Sequence, residues 1–266
     1  MGTIGANLQA VKNRIVNAAH ACGRDPAEVG LIAVSKTFGA DAIAAAHSQG
    51  QRAFGENHLQ EAVVKIAALA SLALESRVAS ASREDNYAAG DARGGPSTGV
   101  ASPEGPLLRP LEWHFIGPIQ SNKTRLMAEQ FDWVHSIDRA KIAERLSAAR
   151  PAALAPLQVC IQVNLGAENT KRGVAPAQTL ELARTVAALP RLKLRGLMAI
   201  PPVSKDYAQQ RRYCAELRRL KDQLVASGVA LDTLSMGMSA DLEAAIAEGA
   251  TLVRVGTAIF GERRNA

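Results

Sequence analysis

The alternation of short apolar runs with amphipathic helical segments limits what this chain can fold into more than any other feature. Eight such runs occur, and most of them are apolar at successive positions rather than at alternate ones. Successive apolar positions are typical of parallel strands that are covered by helices. The predicted strands are residues 31–36, 52–57, 113–117, 132–137, 158–164, 193–200, 232–237 and 251–256.

Helical segments are predicted before the first strand and between the others. The opening helix ends near Gly23, because glycine is favoured directly after a helix. Eight strand–helix units in about 250 residues favour a (β/α)8 TIM-type barrel as one domain over 1–266. An open doubly wound α/β sheet has the same periodicity and stays the alternative. The remaining predicted helices are 41–49, 58–69, 121–130, 138–149, 176–188, 205–227 and 239–248.

One segment, at about residues 71–110, breaks the pattern. It is rich in Ser, Ala, Gly and Pro, and periodic apolar residues become scarce after Val78. Such a composition buries too little apolar surface to offset the entropy of ordering. We therefore predict a flexible insertion that extends the helix after the second strand and then loops to the third.

Charge and cysteine usage exclude several classes of protein. The net charge is +6, but the basic residues are spread out without aromatic interleaving, which argues against nucleic-acid binding. No apolar run reaches the roughly 18 residues of a membrane span, and no signal peptide opens the chain. Three cysteines without a CxxC pair indicate reduced thiols. We therefore expect a cytoplasmic protein that binds no membrane.

A single lysine, Lys36, ends the first apolar run in "GLIAVSKTFGAD". In a barrel, the C-terminal ends of the strands build the site, so this amine would lie at the mouth. A solvated lysine that merely caps the strand is the simpler explanation. The alternative is a nucleophilic amine, which needs a carbonyl partner nearby.

Two stretches near the end of the chain favour the nucleophile. "SMGMSAD" (235–241) follows the seventh predicted strand, and "RVGT" (254–257) closes the eighth. Small residues before a helix N-terminus leave backbone N–H groups available to a phosphate, and barrels often bind phosphate after these two strands. Ordinary turn chemistry explains either stretch alone. Together with Lys36 they suit a phosphorylated aldehyde held as a Schiff base.

Five stretches then carry a family pattern: "AVSKTF", "FGENHLQEAVVKI", "EWHFIGPIQSNKTR", "RGLMAIPP" and "LSMGMSADLEAAIAEGATLVRVGTAIFG". In this order they closely resemble the pyridoxal phosphate homeostasis protein family, which shares its barrel with the N-terminal domain of alanine racemase. The resemblance covers nearly the whole chain except about 71–110. It implies a protein that binds pyridoxal 5′-phosphate (PLP) and serves vitamin B6 homeostasis.

The resemblance also implies a set of cofactor-binding residues. Lys36 matches the lysine that forms the Schiff base with PLP. Ser239, Gly256 and Thr257 match the positions that bind the phosphate. Arg254 matches the arginine that faces the pyridine nitrogen in the related racemase barrel.

Other polar and wall residues have more ordinary interpretations beside the functional one. Asn57 and Met198 are expected in the pocket wall, where plain packing at a strand end is an equal explanation. Ser235 is expected to join the phosphate shell. His114 and His135 are interpreted as hydrogen-bonded histidines of the core or mouth, and no metal site is predicted.

The arginine bears on catalysis. A guanidinium stays protonated, so the pyridine nitrogen it faces stays unprotonated and the ring is a weaker electron sink. Racemisation also needs a second base, which the racemase takes from a further domain according to the family pattern. This chain ends at residue 266, directly after the predicted barrel. We therefore expect cofactor binding and supply without catalytic turnover.

The resemblance implies PLP-requiring apoenzymes as partners, and we expect a monomer or a weak homodimer. Two alternatives stay open. One is a PLP-dependent racemase-like enzyme that acts on amino acids. The other is a class I aldolase without cofactor, in which Lys36 would attack a sugar-phosphate carbonyl.

Overall fold

The computed structural model describes residues 3–88, 110–166 and 172–262, and each of the eight predicted strands is present. Their observed bounds differ from the predicted ones by no more than two residues at either end. The strands are β1 Gly30–Val34, β2 Ala53–Glu56, β3 Glu112–Phe115, β4 Trp133–Ile137, β5 Leu157–Gln162, β6 Leu192–Met198, β7 Thr233–Ser235 and β8 Leu252–Val255.

The eight strands form one closed barrel in chain order. Every neighbouring pair is parallel, and β1 closes the barrel against β8 with Ile32 opposite Arg254. The predicted (β/α)8 barrel is therefore confirmed, and the open doubly wound sheet is excluded because such a sheet leaves two edge strands unpaired.

Helices cover the outside of the barrel between the strands. Short 3-10 turns precede β1, α4 and α6 at Pro26–Glu28, Ser121–Lys123 and Pro176–Gln178. The α-helices are α1 Ile4–Ala21, α2 Ala40–Ser48, α3 Leu59–Ala88, α4 Thr124–Gln130, α5 Ala140–Ala149, α6 Thr179–Ala187, α7 Tyr207–Ala226, α8 Leu242–Ala247 and α9 Thr257–Phe260.

The opening helix α1 ends as predicted. Gly23 has a positive φ of 70°, and Arg24 N donates to Ala19 O at 2.9 Å. This pairing satisfies a carbonyl of the last turn, and glycine adopts the left-handed conformation without steric cost. Leu8, Val11 and other buried residues of α1 pack it beside α8 and α9, the two helices that border the mouth of the barrel.

The predicted insertion at 71–110 lies only partly within the described residues. The helix predicted over 58–69 continues as α3 to Ala88, in agreement with the prediction that the insertion extends it. The first part of the insertion therefore extends this helix. Residues 89–109 lie outside the described residues, and the flexible insertion stays a prediction.

The barrel interior is unusual in one respect. Branched apolar side chains fill most of it, as is common in this architecture, but a buried polar chain also crosses it. Its members are His114 on β3, His135 on β4, Ser235 on β7 and Arg254 on β8. Over the described part of the chain, no helix has both the length and the apolar character needed to cross a bilayer.

Candidate functional site

A cavity of about 290 Å³ opens at the mouth of the barrel. Its lining residues lie at or just after the C-terminal ends of β1, β2, β3, β6, β7 and β8. This is the end at which barrels of this type build their sites, and the volume is close to the lower bound of about 300 Å³ for small-molecule pockets. Its apolar walls include Val34, Phe38, Ile116 and Ile200.

Six of the eight predicted site residues line this cavity. They come from four separate stretches of the chain, so the closure of the barrel brings them together. The six are Lys36, Asn57, Ser239, Arg254, Gly256 and Thr257.

The other two predicted site residues, Met198 and Ser235, do not line it. Both are completely buried in the barrel. Met198 packs with Trp133 and Cys160, so its contacts are those of a core residue. Ser235 uses its hydroxyl within the barrel, where it accepts from Arg254 at 2.8 Å. β7 ends at Ser235, so this residue belongs to the strand and not to the loop that reaches the cavity.

Lys36 lies on a turn that follows β1, two residues beyond the strand end at Val34 rather than on the strand as predicted. Thr37, the next residue, has a φ of 69° and is the one non-glycine residue with a positive φ in the described ranges. The left-handed conformation costs an L-residue about 1–2 kcal/mol. Such strain persists where the surrounding structure holds it, and it often marks functional sites.

The phosphate-facing end of the predicted site is the start of α9. Gly256 is its N-cap, Thr257 is its first residue, and no side chain caps this end. A helix N-terminus leaves N–H groups without intrahelical acceptors and favours an anion. A Cβ at position 256 would lie 3.1 Å from Val34 O, so glycine lets β8 and β1 approach closely here.

The loop between β7 and α8 supplies Ser239, and several hydrogen bonds hold it in place. Asp241 Oδ1 accepts from Met238 N at 2.6 Å, and Arg14 donates to Ser239 O at 3.0 Å. Gly237 has a φ of 92°, a conformation that favours glycine. The hydroxyl of Ser239 is therefore presented on a fixed backbone at the edge of the cavity.

Phe38 was not predicted as a site residue. It lines the cavity, and its ring stacks on Phe260 with centroids 5.2 Å apart. This contact ties the loop after β1 to α9. A single aromatic residue two positions after Lys36 gives no sequence signal that distinguishes a wall residue from an exposed loop residue.

Arg254 is a nearly buried cation at the floor of the cavity, only 4% exposed. Its guanidinium donates to two neutral acceptors, Ser235 Oγ at 2.8 Å and Ala199 O at 2.9 Å. Within the described residues no carboxylate lies at ion-pairing distance from it. Burial lowers the pKa of Arg254 to about 10, opposed chiefly by Asp241, so the group stays protonated at neutral pH.

The hydrogen bonds continue from Arg254 across the barrel. His135 Nδ1 lies 2.8 Å from Ser235 Oγ, and His135 Nε2 lies 3.0 Å from His114 Nδ1. Nε2 of His114 lies 3.2 Å from a carboxylate oxygen of Glu112, a close approach without hydrogen-bond geometry. The prediction of hydrogen-bonded histidines is therefore confirmed for both His114 and His135. Burial is the main cause that holds the pKa of His135 well below its ordinary 6.5.

Asn57 lines the cavity and carries an unsatisfied acceptor. Its Oδ1 atom is buried and has no hydrogen-bond partner among the described atoms. A buried acceptor without a partner costs roughly 1–3 kcal/mol, and a ligand with a donor group removes that cost.

The set of groups at the mouth has a defined chemical capacity. It offers one amine, two hydroxyls, a helix N-terminus, a buried guanidinium and an unsatisfied carboxamide oxygen, between apolar walls. These groups fit a flat, anionic ligand that carries a phosphate and a carbonyl carbon. In the part of the chain described, no cluster of three or more metal-ligating side chains was found.

Comparison with known proteins gives a consistent result. Residues 6–264 match the family model described as alanine racemase, N-terminal domain. The chain is 51% identical to the pyridoxal phosphate homeostasis protein of Pseudomonas aeruginosa, over 99% of this chain and 97% of that one. It is 48% identical to the protein of the same name from Escherichia coli K12, over 99% and 98% of the two chains.

A solved structure is also similar. PipY of Synechococcus elongatus PCC7942, determined with PLP bound, is 33% identical in sequence and superposes with a TM-score of 0.74. The alignment covers 97% of this chain and 100% of that one. The similarity therefore extends over the whole barrel.

Proposed function

This chain belongs to the pyridoxal phosphate homeostasis protein family, and we propose that it holds PLP as a Schiff base on Lys36 for intracellular PLP homeostasis. One observation carries the proposal. Lys36 is the sole lysine among the described residues that line the cavity, and the same cavity contains a helix N-terminus and a buried cation. PipY, whose structure contains PLP, supports the choice of ligand.

Each lining group has a proposed role. The Lys36 amine would condense with the aldehyde of PLP, with loss of one water molecule. The Ser239 and Thr257 hydroxyls and the N–H groups at the start of α9 bind the phosphate. The Asn57 carboxamide oxygen accepts from a donor on the ligand.

Arg254 is proposed to face the ring nitrogen. Bound PLP would supply an electron-withdrawing ring, and a protonated nitrogen makes that ring a stronger sink. Arg254 remains protonated because its pKa of about 10 lies well above neutral pH, so it would donate to this nitrogen and leave it unprotonated. The arrangement favours holding PLP over activating a bound amino acid.

The described lining of the cavity contains no second proton-exchanging group. Among the described residues that line it, Lys36 is the one amine, and none carries a carboxyl, imidazole, thiol or phenol. Racemisation needs a base on each face of the substrate carbon. We therefore propose a carrier that delivers PLP to PLP-requiring apoenzymes, without turnover of its own.

The proposed location is the cytoplasm. Cys22, Cys160 and Cys214 are all free thiols, and two of them are buried. Unpaired cysteines are ordinary in a reducing compartment.

Absorbance spectroscopy tests the proposal. Titrating purified protein with PLP is expected to produce the yellow band of a lysine Schiff base, which borohydride removes. Lys36→Ala should fold as the wild type does, since Lys36 lies on a partly exposed turn. It should not give that band. A colourless wild-type protein that cleaves a sugar phosphate would instead support the aldolase alternative.

A further inference from the structure

The turn that carries Lys36 is held from both sides by one cluster of charged side chains on β2 and α3. We call it the β2–α3 clamp and define it as Glu56, Glu61 and Lys65. None of these three lines the cavity, and no motif argument assigned them a role.

The clamp binds the backbone directly before and directly after Lys36. Lys65 Nζ donates to Ser35 O at 2.8 Å. Glu61 Oε1 accepts from Thr37 N at 2.6 Å, and the same oxygen accepts from Lys65 Nζ at 2.5 Å. The two peptide groups that flank Lys36 are therefore linked through a single ammonium–carboxylate contact.

Glu56 anchors the clamp to the barrel. Its side chain is completely buried, and its Oε1 atom accepts from Lys65 Nζ at 2.8 Å and from Ser35 Oγ at 2.7 Å. Burial is the main cause that raises the pKa of Glu56, and its hydrogen bond with Lys65 is the largest opposing cause. Buried ion pairs contribute little net stability, so a role in fixing geometry explains this cluster better than a role in stability.

We propose that the β2–α3 clamp positions Lys36 for its bond to the PLP aldehyde, an inference that rests on the proposed function. The strained φ of 69° at Thr37 gives the turn its direction, and the Glu61 carboxylate holds that conformation through the Thr37 N–H. Without the clamp, the turn around Lys36 would not be held in advance, and it would have to become ordered when the bond to PLP forms. Ordering one residue costs a factor of about 5–30 in an equilibrium constant.

The test uses two ligands that differ only at the reacting carbon. PLP has an aldehyde, whereas pyridoxine 5′-phosphate has the same ring and phosphate with an alcohol in its place. If only the positioning of Lys36 is lost, the affinity for PLP is expected to fall while that for pyridoxine 5′-phosphate does not. A distorted pocket would lower the affinity for both ligands.

Glu61 is the residue to change, because its side chain is 30% exposed and the variant keeps the buried Lys65–Glu56 pair. Glu61→Ala is expected to lower the affinity for PLP about tenfold and the affinity for pyridoxine 5′-phosphate less than twofold. Glu61→Gln should bind PLP nearly as the wild type does, because a carboxamide oxygen still accepts from Thr37 N. Glu129→Ala is the matched control: Glu129 is 32% exposed, also pairs with a cation four residues away, and lies on α4.

The outcomes separate this inference from the proposed function. If the wild type forms no reducible adduct on Lys36, the proposed function fails. If it forms one and Glu61→Ala binds PLP as tightly, or weakens both ligands equally, the positioning role is overturned. Should Glu61→Ala unfold, Glu61→Met, which keeps the length of the side chain and the Lys65–Glu56 pair but removes the acceptor for Thr37 N, is measured with the same two ligands.

Discussion

The Arg254 guanidinium donates to Ser235 Oγ over 2.8 Å, and this contact leaves the hydroxyl hydrogen of Ser235 available to a second partner. The hydroxyl can place that hydrogen toward His135 Nδ1, which lies 2.8 Å away. Neutral His135 then carries its hydrogen on Nε2 and donates to His114 Nδ1. This series of hydrogen bonds therefore orients the Arg254 side chain from beneath the cavity.

Ser235→Ala is expected to lower both stability and PLP affinity. The change leaves a buried guanidinium N–H of Arg254 without its acceptor, which costs about 1–3 kcal/mol in the free energy of unfolding. Urea denaturation measures that loss, and PLP titration measures the affinity. Ser147→Ala, a buried serine on α5 away from the cavity, should leave PLP affinity unchanged. Unchanged stability and PLP affinity in Ser235→Ala would mean that Arg254 keeps its position without the hydrogen bond to Ser235.

His135 should make stability depend on pH. Its pKa in the folded protein lies well below 6.5, mainly because of burial, with the charges of His114 and Arg254 as further causes. The unfolded chain therefore binds this proton first as the pH falls. The stability that His135 contributes is therefore complete above about pH 6.5, and it is lost as the pH falls toward the pKa of His135 in the folded protein.

The measurement is the free energy of unfolding at pH 7 and pH 5. His135→Gln should reduce the decrease between these values by about 2 kcal/mol relative to the wild type. His20→Gln is the control, because His20 lies exposed on α1. Identical pH dependence in the wild type and His135→Gln would show that His135 is not held neutral.

The strand pattern was enough to predict the barrel, and the local motifs with the family resemblance predicted six of the thirteen residues that line the cavity. Lys36, Ser239 and Thr257 follow strands whose ends the apolar periodicity located to within two residues. In a barrel, such positions meet at one mouth whatever their separation in the chain.

Contacts that depend on register could not be read from the pattern. Ser235 and His135 are 100 residues apart, and only the closed barrel places one beside the other. The β2–α3 clamp was missed for a related reason. A carboxylate at the end of a strand and a lysine in the next helix resemble ordinary surface charges until the helix is packed on the barrel.

The insertion is expected to be dispensable for PLP binding. Residues 89–106 can be replaced by a Gly–Ser sequence of equal length, which keeps the distance between α3 and β3 spannable. Affinity for PLP should stay within about twofold, because the length of the loop, which sets most of its closure entropy, is unchanged. Loss of PLP binding in a variant that keeps its melting temperature would assign this segment a role in covering the cavity.

Amino acids are expected to bind without being turned over. If Arg254 faces the ring nitrogen as proposed, the ring of bound PLP is a weak electron sink, and the described cavity lining contains no second base. Incorporation of deuterium at the α-carbon from heavy water, across a panel of amino acids, reports whether that proton is lost. Exchange over many turnovers, abolished in Lys36→Ala, would support the racemase-like alternative.

The position of the reduced adduct tests the central claim most directly. The PLP-loaded protein is treated with borohydride and digested, and mass spectrometry then locates the phosphopyridoxyl group. We predict one modified residue, Lys36, and no modification of Lys65, whose ammonium donates to two carboxylates and a carbonyl. Modification of Lys65 or another lysine, with Lys36 unmodified, would contradict the account.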